Sequence, residues 1–476
     1  MATRKIVINP VTRVEGHGKV TIHLDEEGHI GQTRFHITEF RGFERFVQGR
    51  LYWEAPVIVE RLCGICPVSH HLAASKAMDV IAGAEKITPT AEKMRRLMHY
   101  GQTYQSHALH FFHLCSPDLL FGFDAPVEKR NVFGVIEAYP DVAKKAVLMR
   151  KFGQEVIKAT GGKKVHGTGS IPGGVNKNLS KEEADELKRD ADTMVDWAVE
   201  ALELCKKIVN ADAKRLLEFG TFESNFVSIV AEDGCMDLYD GNLRAIDADG
   251  KIIFDQVKPA DYLDYIREEV RPWSYMKFPF IYPLGKEKGW YRVGPLARLN
   301  CATYIDSPIA EKERKEFMAL GNGRPIHSSL AYHWARLIEL IHSAEKIREL
   351  LADPDLQRDE LVVTGKKKNS AVAWLEAPRG TLFHHYEVDD NDQITMANLI
   401  VSTTNNNEPM NQVVKKVAEQ YLDRKKITEG LLNHIEVGIR AYDPCLSCAT
   451  HALGRMPLIV QLFDHHDDLI DERVRG

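Results

Sequence analysis

The chain has no apolar run near the ~18 residues that a membrane-spanning helix needs, and no long block of one charge. It also lacks a Gly-x-x-x-x-Gly-Lys-Ser/Thr phosphate loop, a repeat with a period of ~20–50 residues and a low-complexity linker. Lysine and arginine number 62 against 68 acids, a net charge of −6, so nucleic acid and anionic membrane are poor partners. Cysteine is scarce: eight in 476 residues, too few and too unevenly spaced for a disulfide scaffold. The N-terminus carries positive charge but has no apolar h-region before Pro10. Nothing there reads as a signal peptide, so a cytoplasmic location is expected. What remains, 44% apolar and 27% charged, is the composition of a large globular protein. Length alone allows two or three domains of ~100–200 residues each.

Alternation at Val20, Ile22 and Leu24, an Asp-Glu-Glu-Gly turn, and Phe35 and Ile37 predict a β-hairpin. Helical spacing of apolar residues predicts a long helix over about 90–114 and a second over 139–160. Ser180 with Glu183 forms a capping box opening a helix to about Asn210. A small sheet is expected around 235–256, a helix at 328–353, two strands within 370–402, and helices at 407–424 and 427–441. These predict an α+β, helix-rich fold without regular βαβ alternation. Gly167-Thr-Gly169-Ser-Ile-Pro172 has Pro in place of a third Gly and no helix signal behind it, so no dinucleotide turn is expected. Lys366-Lys367-Lys368 reads as a solvated surface turn.

Four cysteines form two pairs, Cys63/Cys66 and Cys445/Cys448, each followed within a few residues by a histidine, His70 and His451. Two residues between cysteines let both sulfurs face one ion from a turn. A single such pair is a modest signal, better read as a redox dithiol or two unrelated structural cysteines. Two matched pairs strengthen the metal reading, and structural zinc is then the main alternative. Zinc ribbons, however, bring their pairs together within roughly 15–20 residues, whereas here almost the whole chain lies between them. A site closing such a loop belongs at the centre of a large core. Soft thiolates select zinc, copper(I), iron or nickel, and bridging sulfur permits a binuclear centre.

Val11-Thr-Arg-Val-Glu15-Gly-His17, Arg41-Gly-Phe-Glu44, Arg61 to His70, Glu376-Ala-Pro-Arg379-Gly380 and Asp443 to His451 occur in that order. Together they resemble the large subunit of the [NiFe]-hydrogenases from end to end. Ile171-Pro-Gly-Gly-Val-Asn176, Trp273-Ser-Tyr-Met-Lys-Phe-Pro279 and Arg440 to Cys448 look like the soluble bidirectional type that reduces NAD. A viologen-reducing type that feeds a heterodisulfide reductase shares several of these phrases.

The resemblance implies reversible heterolytic cleavage of H2 at a nickel–iron centre whose iron carries carbonyl and cyanide. It makes Cys63 and Cys445 terminal nickel ligands and Cys66 and Cys448 bridges to iron. The metals would take the hydride and Cys445 the proton, with Glu15 as first relay carboxylate. Without the motif, Glu15 would more often be a surface group paired with Arg13. Burial beside a thiolate would raise its pKa, which suits a proton carrier. Arg379 corresponds to a guanidinium above the iron, Pro378 and Thr403 to neighbouring shell positions, and Asp118 and Asp443 to carboxylates behind them. A buried ion pair of Arg379 with Asp118 or Asp443 is compatible with that role. His70 would donate to a bridging sulfur, and His71 has no assigned task. Glu44, His451 and a carbonyl near Leu399 would hold magnesium, with Ser402 where many relatives have Pro.

Cys115, Cys205, Cys235 and Cys301 read as small buried apolar side chains. His384-His385 and His465-His466 have no ligand spacing. The chain holds no iron–sulfur motif beyond the four paired cysteines, so its implied partners are a flavin-containing NAD-reducing module and an iron–sulfur small subunit. Residues 1–451 are expected to form one interlocked catalytic unit. The extension 452–476, with a strand at Leu458–Phe463, is expected to be removed by a maturation endopeptidase. Other readings are a structural zinc protein, a hydrogen-sensing subunit, or a quinone-reductase-like relative lacking the metals, the last disfavoured by the intact cysteines.

Overall fold

The computed structural model describes residues 5–84, 86–422, 428–451, 458–463 and 469–475. At its centre are the helices Pro89–Leu109, Pro140–Gly161, Lys181–Ala211 and Ala331–Leu351. Each matches a stretch of helical apolar spacing, and the third starts on the expected box, with Ser180 and Glu183 satisfying each other's backbone amides. The first does not run regularly to 114: after Leu109 the backbone widens into a π-helical segment, His110–Cys115, before the helix Ser116–Phe121. Pro117 accounts for the break, because it lacks an N–H and its ring would strike the carbonyl four residues back.

The predicted hairpin is Gly18–Leu24 against Ile30–Ile37, joined by an outer strand Lys5–Ile8. Ile6, Ile8, Val20, Ile22, Phe35 and Ile37 are buried, so this sheet presses one face on the core. The expected small sheet contains Asn242–Ile246 and Ile252–Val257, flanked by Asn225–Val230 and the short Tyr291–Arg292. Instead of two strands, 370–402 holds three antiparallel ones, Ser370–Ala377, Gly380–Val388 and Ile394–Ile400. The third follows a tight turn at 389–393 in which Asp389 accepts two backbone amides. The helices Asn407–Tyr421 and Glu429–Ala441 lie where expected, and a strand forms at Leu458–Phe463, paired with Leu469–Arg475.

No dinucleotide turn appears at 167–172; Ser170–Ile171 and Gly174–Val175 make a small hairpin. Lys366 to Lys368 form an exposed loop, with Lys367 paired to Asp392. Among the described residues no helix is long and apolar enough to cross a membrane. One contiguous apolar core runs from Ile6 to Ala449 and includes all four paired cysteines. Distant segments are stitched across it: Thr12 donates to Glu436 from its amide (2.6 Å), and Arg440 Nε donates back to the Thr12 carbonyl (2.9 Å).

Candidate metal centre

The two cysteine pairs reach the centre by different routes. Cys66 is the N-cap of the helix Pro67–Ile81, whose proline at the first position needs no amide partner. The Cys63 sulfur accepts the amides of Ile65 (3.1 Å) and Cys66 (3.2 Å), so the turn itself places it. Cys445 and Cys448 lie in irregular backbone after Asp443, which adopts φ 54°. Their position comes from elsewhere: Thr403 Oγ1 accepts the Cys445 amide (2.9 Å), and the Glu15 carbonyl accepts the Leu446 amide (2.9 Å). Gly16 permits that approach. Its φ is +82°, and a Cβ there would stand 2.7 Å from the Ser447 nitrogen.

Both routes converge on one point. The sulfur distances are 3.2 Å for Cys63 to Cys445, 2.8 Å for Cys445 to Cys448, 3.7 Å for Cys66 to Cys448 and 3.9 Å for Cys66 to Cys445. All four thiols are buried and none is in a disulfide. Burial opposes ionisation of Cys63, but hydrogen bonds from the other three sulfurs and the charge of Arg379 hold it well below the usual thiol range. Burial, together with repulsion within the cluster, pushes Cys445 and Cys448 far above it. Four thiolates can therefore coexist here only around a cationic centre. A soft anionic donor set of this kind fits nickel and iron.

Glu15 stands beside Cys445, whose sulfur lies 3.1 Å from its Oε2. The Ser447 amide (3.2 Å) and hydroxyl also donate to it. It is half-buried, short of the full burial expected of a desolvated relay. Arg13 does not pair with it but with Asp118, at 2.6 Å.

Arg379 is buried above the sulfurs. Its Nε donates to the Asp443 carbonyl (2.6 Å), its Nη2 to Asp443 Oδ1 (3.0 Å) and its Nη1 to Ser106 Oγ (3.4 Å). Burial disfavours its charge, but Asp443 and the cysteines outweigh that and keep it protonated. Of the two acids considered as its partner, Asp443 is the one present. Asp118 is not brought to the cluster; it holds Arg13 and Arg440 and so anchors the segment carrying Glu15. Pro378 and Thr403 line a cavity of about 10 Å³ with Cys66, His70, Arg379 and Cys445, room for about one water-sized molecule.

Beneath Pro378 lies a buried network with no cue in the sequence. Arg298 forks onto Glu339 (2.5 and 2.6 Å), reaches Glu376 (2.7 Å), and donates to the carbonyls of Ala377 and Pro378 (2.9 and 3.2 Å). It fixes the backbone that presents Arg379.

His70 joins His384 through Nδ1 to Nε2 at 3.3 Å, and His384 Nδ1 meets the Tyr386 hydroxyl at 2.8 Å. His384 is thus part of the site's surroundings, whereas its neighbour His385 points to the opposite sheet face and meets Tyr262. His71 is a brace between the Pro56 carbonyl and the Ser170 amide.

Glu44 is buried with Lys277 at 3.1 Å and the Leu399 amide at 2.9 Å, so Leu399 meets it through N–H rather than its carbonyl. Lys277 also contacts Glu268 (3.3 Å). His451 is buried, and among the described residues both ring nitrogens lack hydrogen-bond partners. Burial, with a contribution from Lys277, lowers its pKa to about 3, leaving a neutral imidazole. Unpaired buried nitrogens suit a cation site, and Lys277 acts electrostatically on both His451 and Glu44.

Among the unpaired cysteines, Cys205 lines an apolar pocket, and burial pushes its thiol up to about 12. Cys115 departs from the apolar reading: its sulfur sits 3.1 Å from His110 Nε2, in a group with His333. His465 and His466, and the chain just after His451, lie outside the described residues.

Comparison with known proteins follows the same geography. Residues 41–122 and 229–451 match the family described as nickel-dependent hydrogenase, and residues 5–40 match one described as HoxL-like. The chain is 50% identical to the NAD-reducing hydrogenase HoxS subunit beta of Cupriavidus necator, over 99% of this chain and 100% of that one. It is 44% identical to a subunit of the vhc F420-non-reducing hydrogenase of Methanococcus voltae, over 96% and 97% respectively. A crystal structure of an NAD+-reducing [NiFe]-hydrogenase in the H2-reduced state superposes with a TM-score of 0.93 at 53% identity, covering 95% of this chain and 100% of that one.

Proposed function

The chain belongs to the nickel-dependent hydrogenase family, and from that premise we propose that it is the catalytic subunit of an NAD-reducing hydrogenase, cleaving H2 reversibly. The observation that carries this reading is the convergence of four buried sulfurs within 4.8 Å of one another, with a carboxylate and a guanidinium against them. Cys63 and Cys445 would hold nickel, and Cys66 and Cys448 would bridge to an iron carrying carbonyl and cyanide. The bound pair supplies the redox chemistry that splits H2 heterolytically.

The chain's own residues do the rest. The Cys445 sulfur takes the proton, and Glu15 Oε2, 3.1 Å away, receives it. Ser447 holds that carboxylate in place with two donors. The Arg379 guanidinium sets a fixed positive charge against the cavity that admits a small molecule, in a site where burial strengthens its field. Asp443 orients Arg379, and Thr403 fixes the Cys445 backbone. His70 would donate to a bridging sulfur. Glu44, His451 and a backbone carbonyl near Leu399 would hold magnesium, supported by the unpaired imidazole of His451.

Electrons would leave through an iron–sulfur small subunit to a flavin module that reduces NAD. Eight free cysteines suit a reducing compartment, in keeping with a cytoplasmic location. Residues 1–451 would act as one unit, a reading supported by a main apolar core that spans Ile6 to Ala449 and by the family match ending at His451. The extension 452–476 would be removed on maturation, and an intact mass that includes it in active enzyme would reject that step. The likeness to a subunit of an F420-non-reducing hydrogenase favours, as second reading, a viologen-reducing enzyme coupled to heterodisulfide reduction. An H2 assay of the purified complex with NAD and with viologen separates the two. Steady NAD reduction is the expected result, viologen reduction alone supports the second reading, and H2 binding without turnover indicates a sensor.

A further inference from the structure

His70 presents an ambiguity that its neighbours resolve. It rises from the first turns of the helix Pro67–Ile81 and lines the cavity shared with Cys66 and Cys445. Its Nδ1 is committed to His384 Nε2 at 3.3 Å, and His384 Nδ1 is committed to the Tyr386 hydroxyl at 2.8 Å. All three side chains are fully or almost fully buried. A nitrogen-to-nitrogen hydrogen bond needs one ring nitrogen without a proton, and no carboxylate enters this chain of hydrogen bonds, so both rings are read as neutral. Each ring therefore carries one proton, and where it sits depends on the direction of the chain of hydrogen bonds.

Two directions are possible. In one, His70 Nδ1–H donates to His384, whose Nδ1–H donates to the Tyr386 oxygen. The Tyr386 O–H then has nowhere to go, since among the described residues its hydroxyl has no other hydrogen-bond partner. A buried O–H without an acceptor is the costly outcome. In the other, Tyr386 O–H donates to His384 Nδ1, and His384 Nε2–H donates to His70 Nδ1. The Tyr386 hydrogen is then used, and the proton of His70 is placed on Nε2, in a ring that lines the cavity with Cys66 and Cys445.

We propose that Tyr386 and His384 are positioning residues that fix the tautomer of His70, so that its Nε2–H is the donor offered to the cysteine cluster. The proposal rests on the cluster's reading as a nickel site. An N–H donor stabilises electron-rich sulfur, so it raises the midpoint potential of a metal bound there. Strand geometry permits the arrangement because His384 and Tyr386, two residues apart in Gly380–Val388, share a face.

The test uses the purified holoenzyme complex and four variants, reading nickel content, the redox midpoint of the nickel signal and its spectrum. Tyr386→Phe removes one oxygen and keeps the packing. It should retain nickel but shift the midpoint to more negative potential, and His384→Leu should shift it further in the same direction. His384→Gln should restore the wild-type midpoint, because an amide N–H can donate to His70 Nδ1 without Tyr386. The double variant Tyr386→Phe/His384→Gln should then match His384→Gln. Unchanged midpoints and spectra in Tyr386→Phe and His384→Leu, with nickel intact, would overturn the proposal. So would loss of nickel from the near-isosteric Tyr386→Phe, which marks a purely structural role. Wild-type enzyme without nickel is a separate failure, since it removes the reading of the cluster itself and the inference with it.

Discussion

The two cysteine pairs have the same spelling, Cys-x-x-Cys with a histidine close behind, yet they are held in different ways. The N-terminal pair is built locally. Its turn supplies two amides to Cys63, and a proline-led helix starts at Cys66. The C-terminal pair has little local support: a strained Asp443, a short 3-10 turn, and contacts from Thr403, 42 positions away, from Glu15, 430 positions away, and from the adjoining Gly16. The lesson is that one half of the centre is a motif and the other is an assembly. The electrostatics cut across that division: Cys63 is poised to ionise, whereas Cys66, Cys445 and Cys448 are pushed toward the protonated form until a cation arrives.

The largest effect should come from the assembled half. Glu15→Gln keeps a polar group opposite Ser447 but removes the proton acceptor beside Cys445. H2/D+ exchange should fall by roughly 10²–10⁴ with metal content unchanged, measured by mass spectrometry of the evolved gas. Exchange at the wild-type rate would remove Glu15 from the relay.

A pair of glycine substitutions sharpens the contrast. Gly16→Ala puts a Cβ 2.7 Å from the Ser447 nitrogen at a positive φ, so Glu15 and the 445–447 segment must move apart. Misplacement of that order costs about 10² in activity. Gly64→Ala, inside the N-terminal pair, meets nothing within 4 Å and should stay within about twofold of wild type. Equal damage from both would erase the distinction between motif and assembly.

The smallest effect is shared across the core. Burial lowers His71, next to the N-terminal pair, and His99, His107 and His342 further out, each to about 4. Unfolded, each would titrate near 6.5, so between pH 6.5 and 4 the unfolded chain binds more protons than the folded one. Stability is therefore full above pH 6.5 and declines as pH falls toward 4, by up to about 1.4 kcal/mol per pH unit for each such histidine. Thermal unfolding from pH 7.5 to 5 should show a falling midpoint; a flat profile would mean these rings are not held neutral.

What the sequence disclosed follows the same division. The helices, the capping box and the N-terminal hairpin were legible because their signals are local. So were the four cysteines, since spacing within each pair is local even when the pairs are not. The third strand of the 370–400 sheet was missed because its turn is made by Asp389 taking amides rather than by glycine or proline. Arg298 and the Tyr386–His384 pair were illegible for a different reason. Their partners lie tens to hundreds of residues away, and nothing in the local pattern separates a buried arginine or histidine from an exposed one. Asp118 shows the limit of transfer by resemblance: its place in the chain suggested the neighbourhood of Arg379, but Arg13 and Arg440 claim it.

The central claim is that motif and assembly close on one nickel–iron centre. Elemental analysis of the purified enzyme together with its infrared spectrum tests that most directly. Nickel and iron in equal amounts, with bands of iron-bound cyanide and carbonyl, are the expected result. Zinc alone, with no such bands, would contradict it.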